Sequence, residues 1–302
     1  MKPHNHKMFD YKLLQALDTV VKEQSFDRAA AALAITQSAI SQRIKQLEEQ
    51  VAQPLLIRSQ PIEPTALGQK LLGHFRQVKQ LEQELRQELF PSEPNQLLNV
   101  TIAVNADSLA TWLIPAMGSL LSTHSIELNL LISHESHTLE RIKQGKAFAA
   151  ISNNQETLPG CIANKLGVME YVLTATPGFK QKYFGKTVTS AKLRHAPAVA
   201  FDQKDDMHAT YLSQHFQLLP GTYPCHTVRS SEAFVSLAVA GVAYCLIPRM
   251  QVQNELNEGL LVELTPRYKL KVPLYWHRWV LEKGVHKSIS ASVINYAKKH
   301  LF

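Results

Sequence analysis

Ser25 to Glu48 reads SFDRAAAALAITQSAISQRIKQLE, two short helices joined by a tight turn with a polar face left free on the second. Ser25 suits an N-cap, and Asp27 in the first turn complements the positive end of the helix dipole, so Arg28 to Leu33 is expected to be a short Ala-rich helix. Thr36 then offers a second N-cap. At about 100° per residue, Ile40, Ile44 and Leu47 fall on one face of the second helix with Ala39 beside them, and that face is expected to be buried. The opposite face carries Ser38, Gln42 and Lys45, flanked by Ser41 and Gln46, with Gln37 at the N-terminal tip. Hydroxyls and amides reach base edges in the major groove, which the N-terminal residues of a recognition helix enter first. No acidic residue lies between Thr36 and Leu47, as a phosphate-facing surface requires. The pattern reads as a DNA-binding helix-turn-helix; the alternative is the solvated face of an ordinary surface helix.

Downstream, Pro54-Leu-Leu-Ile-Arg58 and the turn Ser59 to Pro64 predict a β-hairpin wing with Arg58 at its tip, near a phosphate. Thr65 caps a long helix to about Leu89, in which Leu71, Phe75, Val78, Leu81, Leu85 and Leu89 recur at three- and four-residue steps. This seam predicts a dimerising coiled-coil-like pair; the alternative is a face packed on its own domain.

With 302 residues and 45% hydrophobic content, the chain has room for two or three domains. No stretch approaches a membrane span or a secretory signal, and no membrane association is expected. Cys161, Cys225 and Cys245 form no CxxC pair and no even disulfide set, which fits a reducing, cytoplasmic setting, and no metal site is read from them. The net charge of +7 is not carried by the DNA-reading end, where residues 1–66 hold eight Lys/Arg against seven Asp/Glu. The excess lies at Arg267 to Phe302, with eight Lys/Arg against Glu282 alone. DNA binding therefore rests on local geometry rather than bulk charge.

Pro91 to Gln96 is a polar, proline-marked hinge, after which the pattern becomes alternating strands and helices. Leu98–Val104, a helix Leu109–Leu121, Ile126–Ser133, a helix Thr138–Gln144 closed by Gly145, and Phe148–Ser152 make a βαβαβ unit and predict a parallel sheet. Tyr171–Thr176 opens a second region, with strands at 198–201, 226–228 and 243–247, helices at 207–215 and from Ser230 to Ala240, and a return through a strand at 272–280 and a helix at 287–301. Two α/β lobes enclosing a cleft are expected, with ligand outside the carboxyl ends of the strands. Ser108 and Ser230 open helices after strands and can offer hydroxyl and backbone N–H groups to an anion such as a carboxylate, although each also reads as a plain N-cap. Asp107, Glu135 and Asp202 lie at or just past strand ends, where an acid can meet a cationic group; for Asp107 the alternative is complementation of the helix dipole. Catalytic motifs (GxSxG, HExxH, P-loop, GxGxxG) are missing, and nothing asks for an enzyme or a cofactor.

The chain resembles the LysR-type transcriptional regulators through Phe26-Asp-Arg-Ala-Ala30, Leu33, Thr36 to Glu48, Pro54 to Arg58 and Pro64-Thr-Ala-Leu-Gly68. Within that family it is similar to the ArgP-like branch, also described as inhibitors of chromosome replication initiation, through Ala103 to Leu113, Ala200-Phe-Asp202, Asp205-Asp-Met-His208, Ser230 to Val235 and Leu274-Tyr-Trp-His-Arg278. The resemblance implies a multi-domain α/β chain: a winged helix-turn-helix (8–66), a linker and dimerisation helix (67–90), a hinge (91–97) and a two-lobed effector domain similar to periplasmic binding proteins (98–302). Lobe I is expected at 98–171 and 273–302 and lobe II at 172–272. It also implies a homodimer or tetramer on double-stranded DNA, RNA polymerase as a further partner, and a basic amino acid, lysine or arginine, as effector. The family's recognition-helix contacts fall on Gln37, Ser38, Ser41, Gln42 and Lys45, its phosphate-holding wing and linker positions on Arg58 and Thr65, and its cleft position on Ser108; Thr36, the cap of the recognition helix, is counted with the DNA-binding residues. The segment Met1–Lys7 departs from the pattern. A ligand-independent DNA-binding protein acting by occlusion is the alternative.

Overall fold

The computed structural model describes residues 8–90, 97–132, 138–202 and 206–302. Glu135, the 91–96 part of the expected hinge and the segment Met1–Lys7 lie outside the described residues.

The chain opens with a helix that the sequence reading left out, α1 (Tyr11–Glu23). Its N-cap is Asp10, whose carboxylate accepts the Lys12 N–H at 2.9 Å. Leu13, Leu14, Leu17 and Val20 bury one stripe of it. α2 (Phe26–Ala32) starts at the expected cap, the Ser25 hydroxyl accepting the Arg28 N–H at 3.3 Å; Leu33 is its C-cap rather than its last turn. Ala34 at φ 53° turns the chain into α3 (Gln37–Val51), capped by Thr36. Ile40, Ile44 and Leu47 are fully buried in a core shared with Leu14, Leu17 and Ala29. Burial of each such side chain stabilises by about 1.5–3 kcal/mol, which explains why the short helices hold together. The wing is a two-residue ladder, β1 (Leu56–Ile57) antiparallel to β2 (Glu63–Pro64), with Arg58 in the connecting loop. Next comes α4 (Ala66–Leu89).

Beyond it lie β3 (Leu98–Val104), α5 (Ala106–Ser108), a π-helical turn (Leu109–Leu113), α6 (Ile114–Thr123), β4 (Ile126–Ile132), α7 (Thr138–Lys143) and β5 (Ala149–Ser152). β3 is parallel to β4 on one side and to β5 on the other, as the βαβαβ pattern predicts. The sheet is nevertheless mixed. β6 (Cys161–Ala175) and β11 (Leu270–Trp279) are long antiparallel partners, with β11 also antiparallel to β5. The strand expected at Tyr171 begins ten residues earlier, because Asn164, Lys165 and Gly167 disguise its first half; a bulge opposite Leu274 and Tyr275 absorbs the irregularity.

The far half of β6 carries the second lobe, pairing with β9 (Cys245–Pro248) and β10 (Val262–Glu263). Between them run α8 (Pro177–Tyr183), α9 (Ser190–Leu193), β7 (Ala198–Ala200), α10 (Asp206–Phe216), β8 (Cys225–Thr227) and α11 (Ser231–Val239); β7 and β8 form a separate parallel pair. A 3-10 turn (Arg249–Gln251) and α12 (Gln253–Asn257) follow β9, and α13 (Gly284–His300) closes the chain against α6. One apolar core runs through both lobes, with Trp112, Trp276, Tyr171, Tyr211 and Tyr244 all but fully buried.

The linker helix is also packed on the effector domain. A Cβ on Gly73 would stand 2.7 Å from Lys143 O, so only glycine permits that approach of α4 to α7. Beside it Arg76 donates to Asp18 Oδ1 at 2.7 Å and to Gln144 O at 3.0 Å, tying α1, α4 and the loop after α7 together.

The DNA-facing helix and the effector cleft

Of the residues expected to face DNA, Thr36, Gln37, Ser38, Gln42, Lys45 and Arg58 are exposed, and Ser41 is half-buried. The Thr36 hydroxyl accepts the Ala39 N–H at 3.2 Å and lies 2.9 Å from Ser38 Oγ, while the Gln37 amide donates to Ser41 Oγ at 3.3 Å. These contacts hold the side chains over the first turn of α3. Lys45 lies 3.9 Å from Glu49 with both side chains well exposed, a pairing too weak to hold the ammonium away from a phosphate. The Arg58 guanidinium stands 5.7 Å from the centre of the Phe26 ring, which orients the wing side chain against α2. Thr65 is committed differently: its hydroxyl donates to Pro54 O at 2.9 Å and accepts the Gly68 N–H at 3.2 Å, closing the junction of wing and linker helix.

The seam of α4 divides in two. Leu71 and Phe75 belong to the core of the helix-turn-helix domain, the packing that the sequence left open as the alternative, and Val78 is half-buried. Leu81, Leu85 and Leu89 are exposed, at 38%, 52% and 62%, and Phe90 continues the strip.

At the carboxyl end of β3 the structure corrects the reading of Ser108 as a helix cap. Asn105, with extended φ −79° and ψ 152°, occupies the N-cap position, so winding starts at Ala106 and Ser108 sits inside the first turn. Its hydroxyl is fully buried and has no hydrogen-bond partner among the described residues. The next five residues wind as a π-helix, an irregularity frequent at functional sites.

Asp107 joins the two lobes. The Tyr171 hydroxyl, from the strand joining the lobes, donates to Oδ2 at 2.7 Å; the Ser231 hydroxyl, from the first residue of α11, donates to Oδ1 at 2.6 Å. Ser231 Oγ also lies 3.0 Å from Gln251 Oε1. Ser230 is the N-cap of α11 as expected, accepting the Ala233 N–H at 3.2 Å and donating to Glu232 at 2.9 Å. Asp202 is 3.8 Å from the Arg229 guanidinium, next in the chain to Ser230. The structure thus brings Asp107, Ser108, Ser230 and Asp202 toward one region. Tyr171, Ser231 and Gln251 were not singled out by sequence; Ser231 neighbours a chosen residue, whereas Gln251 has no local signal.

A second charged group lies on the sheet side of lobe II. Arg249 donates to Glu170 and Glu263, each at 2.6 Å, and Lys269 is 3.2 Å from Glu170. Burial alone would push the Glu170 carboxyl up, but the hydrogen bonds from Arg249 and Lys269 outweigh it and hold the carboxyl below its ordinary range. Burial pushes the Cys161 thiol up to about 11 and the Cys245 thiol up to about 12. Neither is poised as a thiolate nucleophile. Among the described residues no group of three His, Cys, Asp or Glu side chains could hold a metal ion, and no helix is long and apolar enough to cross a membrane.

Residues 11–69 match the bacterial regulatory helix-turn-helix protein, lysR family, and residues 97–279 match the LysR substrate binding domain. The chain is 58% identical to the HTH-type transcriptional regulator ArgP of Aeromonas salmonicida, covering 98% of this chain and 99% of that one. It is 52% identical to ArgP of Photobacterium profundum, over 97% and 98% respectively. Among solved structures, ArgP from Mycobacterium tuberculosis superposes with a TM-score of 0.87 at 32% identity, over 98% of this chain and 99% of that one. Full-length LysG from Corynebacterium glutamicum with bound effector Arg superposes with a TM-score of 0.81 at 30% identity, over 97% and 99%. With both domains matched in order along the chain, this protein belongs to the LysR family of transcriptional regulators.

Proposed function

We propose that the protein is a cytoplasmic regulator of amino-acid transport or metabolism genes whose effector is a basic amino acid, lysine or arginine. The observation that carries this reading is the fully buried Ser108 hydroxyl, without a hydrogen-bond partner among the described residues, beside an acid hydrogen-bonded from one lobe to the other, in a fold shared with an arginine-bound LysG. In this reading the effector carboxylate meets Ser108 and its cationic side chain an acid such as Asp202. A homodimer formed through Leu81, Leu85 and Leu89, alone or paired into a tetramer, sets two copies of α3 in successive major grooves of a pseudo-palindromic site. Gln37, Ser38, Ser41 and Gln42 read base edges, while Lys45 and Arg58, with the wing junction held by Thr65, hold phosphates. Effector binding shifts how the dimer sits on DNA and meets RNA polymerase, which requires unequal affinity for the two arrangements.

The test is calorimetric titration of the full-length protein with lysine, arginine and leucine, repeated on Ser108→Ala. Saturable binding of a basic amino acid, absent for leucine and weakened by about tenfold or more in the variant, is the expected result. Indifference to all three would transfer the reading to DNA binding by occlusion without a ligand.

A further inference from the structure

Gly73, Arg76, Gln80 and Glu84 follow one another on α4 at steps of three and four residues, so they form a single stripe along the helix. At about 100° per residue, the centre of this stripe lies about 135° from that of the exposed Leu81, Leu85 and Leu89 strip. We propose that the stripe is a platform contact by which each subunit's own lobe I holds its helix-turn-helix domain at a fixed tilt, with Arg76 as the positioning residue that passes the tilt to α1. The inference rests on the reading above that a dimer sets two copies of α3 in successive major grooves.

The contact is close and directional. A Cβ on Gly73 would stand 2.7 Å from Lys143 O. From the other side Gly145, with φ 62° where α7 closes, would place a Cβ 2.9 Å from Arg76 Cβ and 3.1 Å from Gly73 O. Backbone thus meets backbone, and a side chain at either glycine would force the two segments apart. Beside them Arg76 Nε donates to Asp18 Oδ1 at 2.7 Å and Nη1 to Gln144 O at 3.0 Å. The guanidinium is planar with donors in fixed directions, so it ties α1 to lobe I in one orientation, as an ammonium would not. Farther along the stripe the Gln80 amide donates to Glu84 Oε1 at 3.3 Å, and Glu84 meets His286 of α13 at 2.7 Å.

These polar contacts set the tilt because no apolar cluster spans the joint. Among the described residues, the core of the helix-turn-helix domain ends at Phe75 and the effector-domain clusters begin at Leu98. The platform itself is firm: Ile142 of α7 is fully buried, and the Phe148 N–H donates to Thr101 O of β3 at 2.9 Å. Slack at Arg76 therefore falls on the helix-turn-helix domain rather than on lobe I. Two recognition helices engage both half-sites at once only when each is held at the right spacing, and freeing the tilt lowers the effective concentration of the second for its half-site.

The probe is a duplex selected from a random-sequence library by the intact protein, compared with the same duplex cut to one half-site. Arg76→Met and Gly145→Ala are expected to bind the full duplex about tenfold more weakly and the half-site within about twofold of the intact protein. Arg76→Lys, which keeps a charge for Asp18 but not the fork, is expected to fall between. Thermal unfolding checks that each variant is folded. Undiminished binding of the full duplex by Arg76→Met and Gly145→Ala would overturn the proposal and leave the dimer reading standing. Equal losses on both duplexes would also overturn it, reducing the stripe to a contact needed for folding. An intact protein that binds the half-site as tightly as the full duplex would overturn the dimer reading as well.

Discussion

His286 Nδ1 lies 2.7 Å from Glu84 Oε1, and the two side chains are only 3% and 4% exposed. Glu84 belongs to α4 and His286 to α13, so the helix leaving the DNA-binding domain meets the closing helix of the effector domain at a buried ionisable pair. Phe148 packs edge-on against the same imidazole at 4.6 Å. Below it, Arg278 pairs with Glu282 at 2.7 Å, Ser290 donates to Glu282 at 2.7 Å and Trp276 donates to Ser290 at 2.8 Å. α13 in turn packs on α6, and Ser292 donates to Ala116 O at 2.7 Å, linking the joint to the helix that rises from the cleft.

Removing one member of a buried pair leaves the other without its partner. Glu84→Ala is therefore expected to destabilise the docked chain by about 3 kcal/mol, and Glu84→Gln by less, since the amide still fills the space and accepts a hydrogen bond. Urea unfolding followed by far-UV circular dichroism measures both; equal stability of all three proteins would show that the pair contributes nothing to docking.

The pH dependence of stability has two opposing carboxyl contributions. Burial raises the Glu282 carboxyl above its ordinary range, although the Ser290 hydrogen bond and Arg278 pull the other way. Its contribution is thus fully present below about pH 4.3, the unfolded value, and is lost as pH rises through the folded pKa. Glu170 is held low, so its contribution is present above about pH 4.3 and is lost as pH falls through its folded pKa. Glu282→Gln is expected to flatten the loss on the alkaline side and Glu170→Gln the loss on the acid side, read as unfolding midpoints across a pH series.

The wing and linker helix meet at Gly68, where an added Cβ would stand 2.2 Å from Leu55 O. Backbone rather than a flexible side chain blocks it. Gly68→Ala is expected to cost about 3 kcal/mol and to weaken operator binding through a displaced wing. An unchanged melting curve would mean that the two segments part more easily than their packing implies.

On α3, Gln42 and Lys45 are both exposed but differ in chemistry. Gln42→Ala is expected to cost about 1–3 kcal/mol on the operator and little on random DNA; Lys45→Ala should weaken both alike and reduce the salt slope by about 1. Titrations of both duplexes at several salt concentrations separate the two, and equal losses on both duplexes for Gln42→Ala would count against base reading.

Local chemistry was enough to place the helix-turn-helix. Ser25, Thr36 and Thr65 cap their helices through short-range hydrogen bonds, and the period of Ile40, Ile44 and Leu47 marks the buried face, because caps and amphipathic stripes depend on neighbours within a turn or two. The βαβαβ start of the effector domain was legible for the same reason. The amphipathic stripe of α1, Leu13, Leu14, Leu17 and Val20, is just as local. Tertiary structure alone decided the antiparallel pairing of β6 with β11, the burial of Leu71 and Phe75 beside exposed Leu85 and Leu89, and the meeting of Asp107 with Tyr171 and Ser231, 64 and 124 residues away. A strand carries no mark of its partner, and a serine capable of capping a helix looks the same whether its hydroxyl meets a backbone N–H or waits for a ligand. Those choices are made by which surfaces the folded chain buries together.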